Sequence, residues 1–270
     1  MKILLNNNDL NEALYNVSNL GFVPTMGGLH QGHISLIKRS LKECNKTIVS
    51  IFVNPTQFNN KNDFKKYPRN NKKDLKILKR LNIDFIYLPT VKDIYSSKKL
   101  SKIKINKKDQ ILCAKFRKGH FEGVIDVMDR FTTIIKPKKI FMGEKDFQQL
   151  YLVKKFFKKN HQSKIVTCKT IRNKNNLALS SRNLLLNKNK LIKAEKLTQD
   201  LINIKKNFTK KINLNQILNL KKKELSEMYN LKIEYLELRN KDNLKKTNKL
   251  QNSKIFIAYY LDKVRLIDNL

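Results

Sequence analysis

The chain has 270 residues, 40% of them apolar, which is enough for a substantial core in one large domain or two. It carries 58 Lys plus Arg against 22 Asp plus Glu, a formal charge of +36, which raises the question of a nucleic-acid or anionic-membrane partner. The basic residues are mostly Lys and scatter over nearly every polar segment, without the regularly spaced aromatics of a stacking platform. Lys, Asn and Ile are abundant throughout, with no Trp and only 7 Gly, so drift in an AT-rich coding sequence is the favoured reading over a dedicated nucleic-acid module. No run of about 18 apolar residues could span a bilayer. Residues 1–8 lack the apolar core of a signal peptide. Three widely spaced cysteines (Cys44, Cys113, Cys168) make neither a disulfide framework nor a zinc site, so a reducing cytoplasm is expected.

Residues 9–20 predict a first amphipathic helix, capped by Asp9 and closed by Gly21. A strand at 22–26 runs into Thr25-Met26-Gly27-Gly28-Leu29-His30-Gln31-Gly32-His33, and a helix follows with Ile34, Ile37, Leu41 and Cys44 at helical spacing. Glycines that let backbone approach a ligand, a helix N-terminus and two imidazoles suit a phosphate. The β-branched run Thr47–Val53 reads as a buried parallel strand, ending at Asn54-Pro55-Thr56-Gln57. Parallel sheets bind ligands beyond their strands' carboxyl ends, which places Asn54 and Gln57 for substrate contact. A loop with Tyr67-Pro68-Arg69 precedes a helix near 71–82 and a strand at 83–88, stopped by Pro89.

Residues 96–110 read as a Lys-rich exposed excursion. Gly119-His120-Phe121-Glu122-Gly123 leads into a helix whose stripe of Val124, Val127, Met128, Phe131 and Ile135 is core. A strand at 139–142 ends in Gly143-Glu144-Lys145-Asp146-Phe147-Gln148-Gln149. Lys there suits phosphate and a carboxylate suits ribose, while a capped helix start is the plainer alternative. After a strand at 165–168 the pattern changes to a polar loop ending Ser180-Ser181-Arg182-Asn183, helices near 187–207 and 213–229, and three closing strands. The fold class expected is α/β: a Rossmann-like doubly wound parallel sheet over residues 1–170, with a smaller α+β lid domain over 171–270.

In this order the motifs resemble the pantoate–β-alanine ligase family of the His-x-Gly-His nucleotidyltransferases. The match runs through Pro24–Gly27, His30-x-Gly-His33, Val49–Phe58, Tyr67–Arg69, Gly119–Phe121, Gly143–Gln149 and Ser180–Asn183 to Arg265-Leu266-Ile267-Asp268-Asn269, essentially the whole chain. The resemblance implies joining of pantoate to β-alanine through a pantoyl adenylate, with ATP as substrate, Mg²⁺ assisting and a homodimer as the assembly. By position, His30, His33, Lys145 and Arg182 become the catalytic candidates. Met26, Gly143, Asp146, Ser180 and Ser181 join His33, Lys145 and Arg182 as ATP contacts. Gln57, Gln149 and Met26 fall to pantoate, with Asn54 and Tyr67 as secondary candidates. The sequence departs from the family at Asn175-Asn176-Leu177, usually Asp-Gly-Leu, and at Leu112-Cys113-Ala114, usually Leu-Glu-Gly. An acidic cluster after Tyr-Pro-Arg shrinks to Asp74, so no protein ligand for the metal is assigned. Another nucleotidyltransferase of the same superfamily remains the alternative, and the Gln57–Gln149 pair speaks against it.

Overall fold

The computed structural model describes residues 1–95, 103–208 and 213–270. Residues 96–102 of the expected Lys-rich excursion lie outside them. The chain forms two compact units, Met1–Lys107 with Arg117–Thr170, and Lys108–Phe116 with Ile171–Leu270.

The first unit alternates strands and helices: β1 (Lys2–Leu4), α1 (Asn7–Leu14), β2 (Leu20–Thr25), α2 (Gln31–Glu43), β3 (Lys46–Ile51), α3 (Lys61–Lys66), α4 (Asn71–Arg80), β4 (Phe85–Tyr87) and α5 (Val91–Ile94). After α6 (Cys113–Phe116), which belongs to the second unit, it resumes with α7 (His120–Ile135), β5 (Lys139–Gly143), α8 (Phe147–Asn160) and β6 (Lys164–Cys168). The six strands are all parallel, in the order β1-β4-β3-β2-β5-β6. Alternate residues of each strand face opposite layers. Val23, Val49 and Phe141 pack with Leu36 and Ile37 of α2 and Leu78 of α4. Phe22 turns the other way and meets Phe131 of α7, ring centroids 5.4 Å apart, with Phe52 and Tyr87 edge-on to the same ring. Strand order reverses between β2 and β5, the switch point at which such sheets open a crevice.

Several local expectations shift. The first helix is capped by Asn6, whose side chain accepts from Asp9 N at 2.9 Å, and it ends at Leu14. Gly21 lies inside β2 and closes nothing. Asp9 accepts the Leu5 N–H instead of capping. The edge strand β1 was not foreseen, because three residues with only Leu4 buried carry no periodic signal.

The second unit packs α9 (Lys188–Lys206) and α10 (Leu214–Met228) on an antiparallel sheet of β7 (Lys232–Asn240), β8 (Ser253–Leu261) and β9 (Val264–Asn269). Cys113 sits within it, Sγ 3.0 Å from Tyr235 Oη and 3.3 Å from Arg265 Nη2. Arg265 takes its charge partner from Glu234, at 2.6 Å, so the acid absent at Cys113 leaves no uncompensated cation. The Asn175-Asn176 departure is likewise absorbed. Asn176 adopts φ +67, a left-handed conformation that Asn tolerates better than most side chains. The turn closes through Asn173 Oδ1, which accepts from Asn175 N and Leu177 N at 3.0 Å each. Arg172 ties it down, donating to Asn176 O and forming a fork onto Asp268 at 2.7 and 2.8 Å.

Candidate active site

Three loops leave the carboxyl ends of β2, β3 and β5, the three adjacent central strands. The first carries Met26 to His33. Gly27 and Gly28 both have positive φ, +80 and +63, which folds the backbone into a corner that most side chains resist. Asp74 of α4, fully buried, holds this corner: its two carboxylate oxygens accept from Gly28 N and Leu29 N, each at 2.8 Å. The acid that the sequence offered as the remnant of a metal cluster is therefore spent on backbone. Among the described residues, no group of three or more His, Cys, Asp or Glu could hold a metal ion.

His30 is the N-cap of α2, and its Nδ1 accepts from Gly32 N at 3.1 Å. His33 returns the bond, its Nδ1 facing His30 N at 3.4 Å, and the two rings lie 4.2 Å apart. Burial lowers the pKa of His30 to about 4, with the positive charge of Lys145 adding to the effect. His33 falls to about 3, through burial first, then His30 and Lys145. Both imidazoles are neutral near pH 7. With each Nδ1 accepting, each proton sits on Nε2. The pair therefore offers two neutral N–H donors beside the N-terminus of a helix, with the Lys145 cation close by.

After β3, Pro55–Gln57 forms a 3₁₀ turn capped by Asn54, whose Oδ1 accepts from Thr56 N at 3.3 Å. Asn54 is buried, and Tyr95 Oη donates to the same oxygen at 2.8 Å while Nδ2 donates to Gly123 O at 3.1 Å. Gln57 Nε2 meets Met26 Sδ at 2.9 Å, which brings the β2 and β3 loops together. Tyr67 ends α3 and stacks edge-on to Phe58, centroids 5.7 Å apart, in an aromatic cluster with Phe64. After β5, Glu144–Asp146 makes a second 3₁₀ turn. Asp146 occupies the N-cap position of α8 without a side-chain capping bond. It faces Lys145 Nζ at 3.7 Å. Gln149 stands half-buried in the first turn of α8.

The first unit thus carries Met26, His30, Asn54, Gln57, Gly143, Lys145 and Asp146 at the carboxyl ends of three neighbouring strands, with His33 and Gln149 in the first turns of the helices that follow. Ser180, Ser181 and Arg182 belong to the second unit. Their loop is a 3₁₀ turn, Ser181–Leu185, capped by Ser180 Oγ on Arg182 N at 3.3 Å, with Ser181 buried. The sequence did not single out Asp74 as a loop anchor, nor Tyr95.

The sequence matches the protein-family model described as Pantoate-beta-alanine ligase over residues 2–270. The chain belongs to the pantoate–β-alanine ligase family. Among its relatives in that family, the pantothenate synthetase of Flavobacterium psychrophilum is 42% identical over 267 residues, covering 97% of this chain and 94% of its own. Of the solved structures, the pantothenate synthetase of Thermus thermophilus superposes with a TM-score of 0.91 at 28% identity, covering 100% and 99% of the two chains. The Francisella tularensis pantoate-β-alanine ligase, complexed with β,γ-ATP and β-alanine, gives 0.84 at 38% identity, covering 100% and 97%. The six-stranded parallel sheet with a separate three-stranded antiparallel sheet is thus the family's architecture.

Proposed function

We propose that the chain condenses (R)-pantoate with β-alanine, cleaving ATP to AMP and pyrophosphate. The observation that supports this reading is the pair of neutral Nε2–H imidazoles at the start of α2, both under the charge of Lys145, at the carboxyl end of a sheet that belongs to the pantoate–β-alanine ligase family. In the first step a carboxylate oxygen of pantoate attacks the α-phosphorus of ATP, the bond to the β-phosphate oxygen breaks, and pyrophosphate leaves. In the second the neutral amine of β-alanine attacks the acyl carbon, the acyl–oxygen bond breaks, and AMP departs with loss of one proton from nitrogen.

No nucleophilic side chain is required, because the activated intermediate lies on the substrate. The work left to the chain is alignment and charge stabilisation. His30 and His33 donate Nε2–H to phosphate oxygens as negative charge shifts toward pyrophosphate, and Lys145 supplies the cation. Asp146 and Gly143 meet the ribose, and Gln57 and Gln149 bind the hydroxyls and carboxylate of pantoate. Ser180, Ser181 and Arg182 are assigned to phosphate oxygens on the family pattern alone. Mg²⁺ would come with ATP and neutralise phosphate oxygens; among the described residues no group of three or more His, Cys, Asp or Glu could hold a metal ion. A cytoplasmic homodimer completes the reading, and three free cysteines are consistent with that compartment.

AMP release from ATP and Mg²⁺ tests it, with pantoate and β-alanine supplied together and each omitted in turn. Release that needs both is expected. If neither AMP release nor pantoate-dependent pyrophosphate exchange occurs in folded protein, the substrates are wrong.

A further inference from the structure

The Gly119-His120-Phe121-Glu122-Gly123 segment has no part in the chemistry above, yet it presses on the turn that carries Gln57. His120 opens α7 and is buried. Its Nδ1 lies 2.7 Å from Gln57 O, and its Nε2 lies 2.8 Å from Arg117 Nη1. A guanidinium can only donate, so Nε2 must accept. The imidazole is therefore neutral with its proton on Nδ1, and that proton is given to the Gln57 carbonyl. Arg117 Nη2 also reaches the same carbonyl at 3.4 Å. One turn further along α7, the missing side chain of Gly123 lets the helix touch the preceding peptide: a Cβ there would stand 2.6 Å from Thr56 O. Gly123 O in turn accepts from Asn54 Nδ2. α7 thus meets the turn at three residues, Asn54 through its side-chain amide and Thr56 and Gln57 through their backbone carbonyls.

We infer that His120, polarised by Arg117, is a positioning residue for pantoate recognition: it sets the orientation of the Gln57 turn, so that the Gln57 amide is presented at the pantoate subsite. A carbonyl at the end of a 3₁₀ turn has no partner within the turn. Without the imidazole donor it would keep only the longer contact from Arg117 Nη2, and the Gln57 side chain would move as its peptide turned toward that donor. The inference rests on the reading of Gln57 as a pantoate ligand.

The test is steady-state kinetics with pantoate and ATP varied separately, on the wild type, His120→Ala, His120→Asn, Arg117→Ala and Gln57→Ala, with thermal unfolding of each. Loss of one buried hydrogen bond in positioning predicts a pantoate KM raised roughly 10-fold in His120→Ala, with the ATP KM within about twofold. Asn places an amide N–H near the position of Nδ1–H, so His120→Asn restores the pantoate KM to within about threefold. Arg117→Ala falls between the two, and carries the test if His120→Ala does not fold. The inference is overturned if His120→Ala, or Arg117→Ala in its place, leaves the pantoate KM unchanged, or raises both KM values alike. Failure of His120→Asn to restore recognition overturns it too. If Gln57→Ala itself spares the pantoate KM, the pocket assignment falls, and that result is distinct from failure of the relay.

Discussion

A histidine that accepts a backbone N–H at Nδ1 has, while neutral, one place left for its proton. His30 and His33 are both held so, and burial beside Lys145 keeps them neutral. A neutral donor stabilises developing phosphate charge without the ground-state cost of a buried imidazolium. The linkage has a definite sign. The unfolded chain takes up these protons near pH 6.5 and the folded chain only near 4 and 3, so between those limits the unfolded state holds more protons. Stability from this pair is complete above pH 6.5 and declines as pH falls through the window. Following the histidine ring protons by NMR from pH 8 to about pH 2 should show His30 and His33 with midpoints at about 4 and about 3. A midpoint near 6.5 for either ring would remove the neutral-donor account.

Between elements, the telling contact is α4 on the β2 loop. Asp74 accepts two backbone N–H groups from a corner that two positive-φ glycines make and that leads directly into His30. Asp74→Asn keeps the size but turns one acceptor into a donor facing a donor. We expect turnover to fall by roughly 10- to 100-fold, since the displaced loop misaligns both imidazoles. The Mg²⁺ concentration for half-maximal rate should stay as in the wild type; a marked rise in it would return Asp74 to the metal. In the second unit, Asn176 at φ +67 does the work of a glycine. Asn176→Gly should hold or slightly raise the unfolding temperature. Asn176→Ala should cost about 1 kcal/mol, read from denaturant unfolding.

At the scale of the molecule, the formal charge is +36. Among the described residues, Lys46 with Asp84, Lys139 with Glu43 and Lys221 with Glu224 are partly exposed pairs of small energetic weight. No helix among the described residues is long and apolar enough to cross a membrane. The charge should give loose, sequence-independent retention on duplex or single-stranded DNA at low salt, lost by about 0.15 M, where the Debye length is about 8 Å. Retention that persists there, with a preference for one sequence or structure, would demand a real nucleic-acid site.

The sequence by itself determined the alternation of buried β-branched strands with amphipathic helices, because strand and helix periodicities are local. It also placed Met26, His30, His33, Gln57, Lys145, Asp146 and Gln149 at strand ends, since turn chemistry and motif spacing are local too. What it could not contain were bonds between side chain and distant backbone. Asp74 on Gly28 spans 46 positions and His120 on Gln57 spans 63. Nothing in either segment's own pattern marks a partner so far along the chain. Cys113 of α6 likewise meets Arg265, 152 positions away, and α6 belongs to the second unit. Tautomers, lowered pKa values and the anchoring of loops were decided only when packing removed water and brought those groups together.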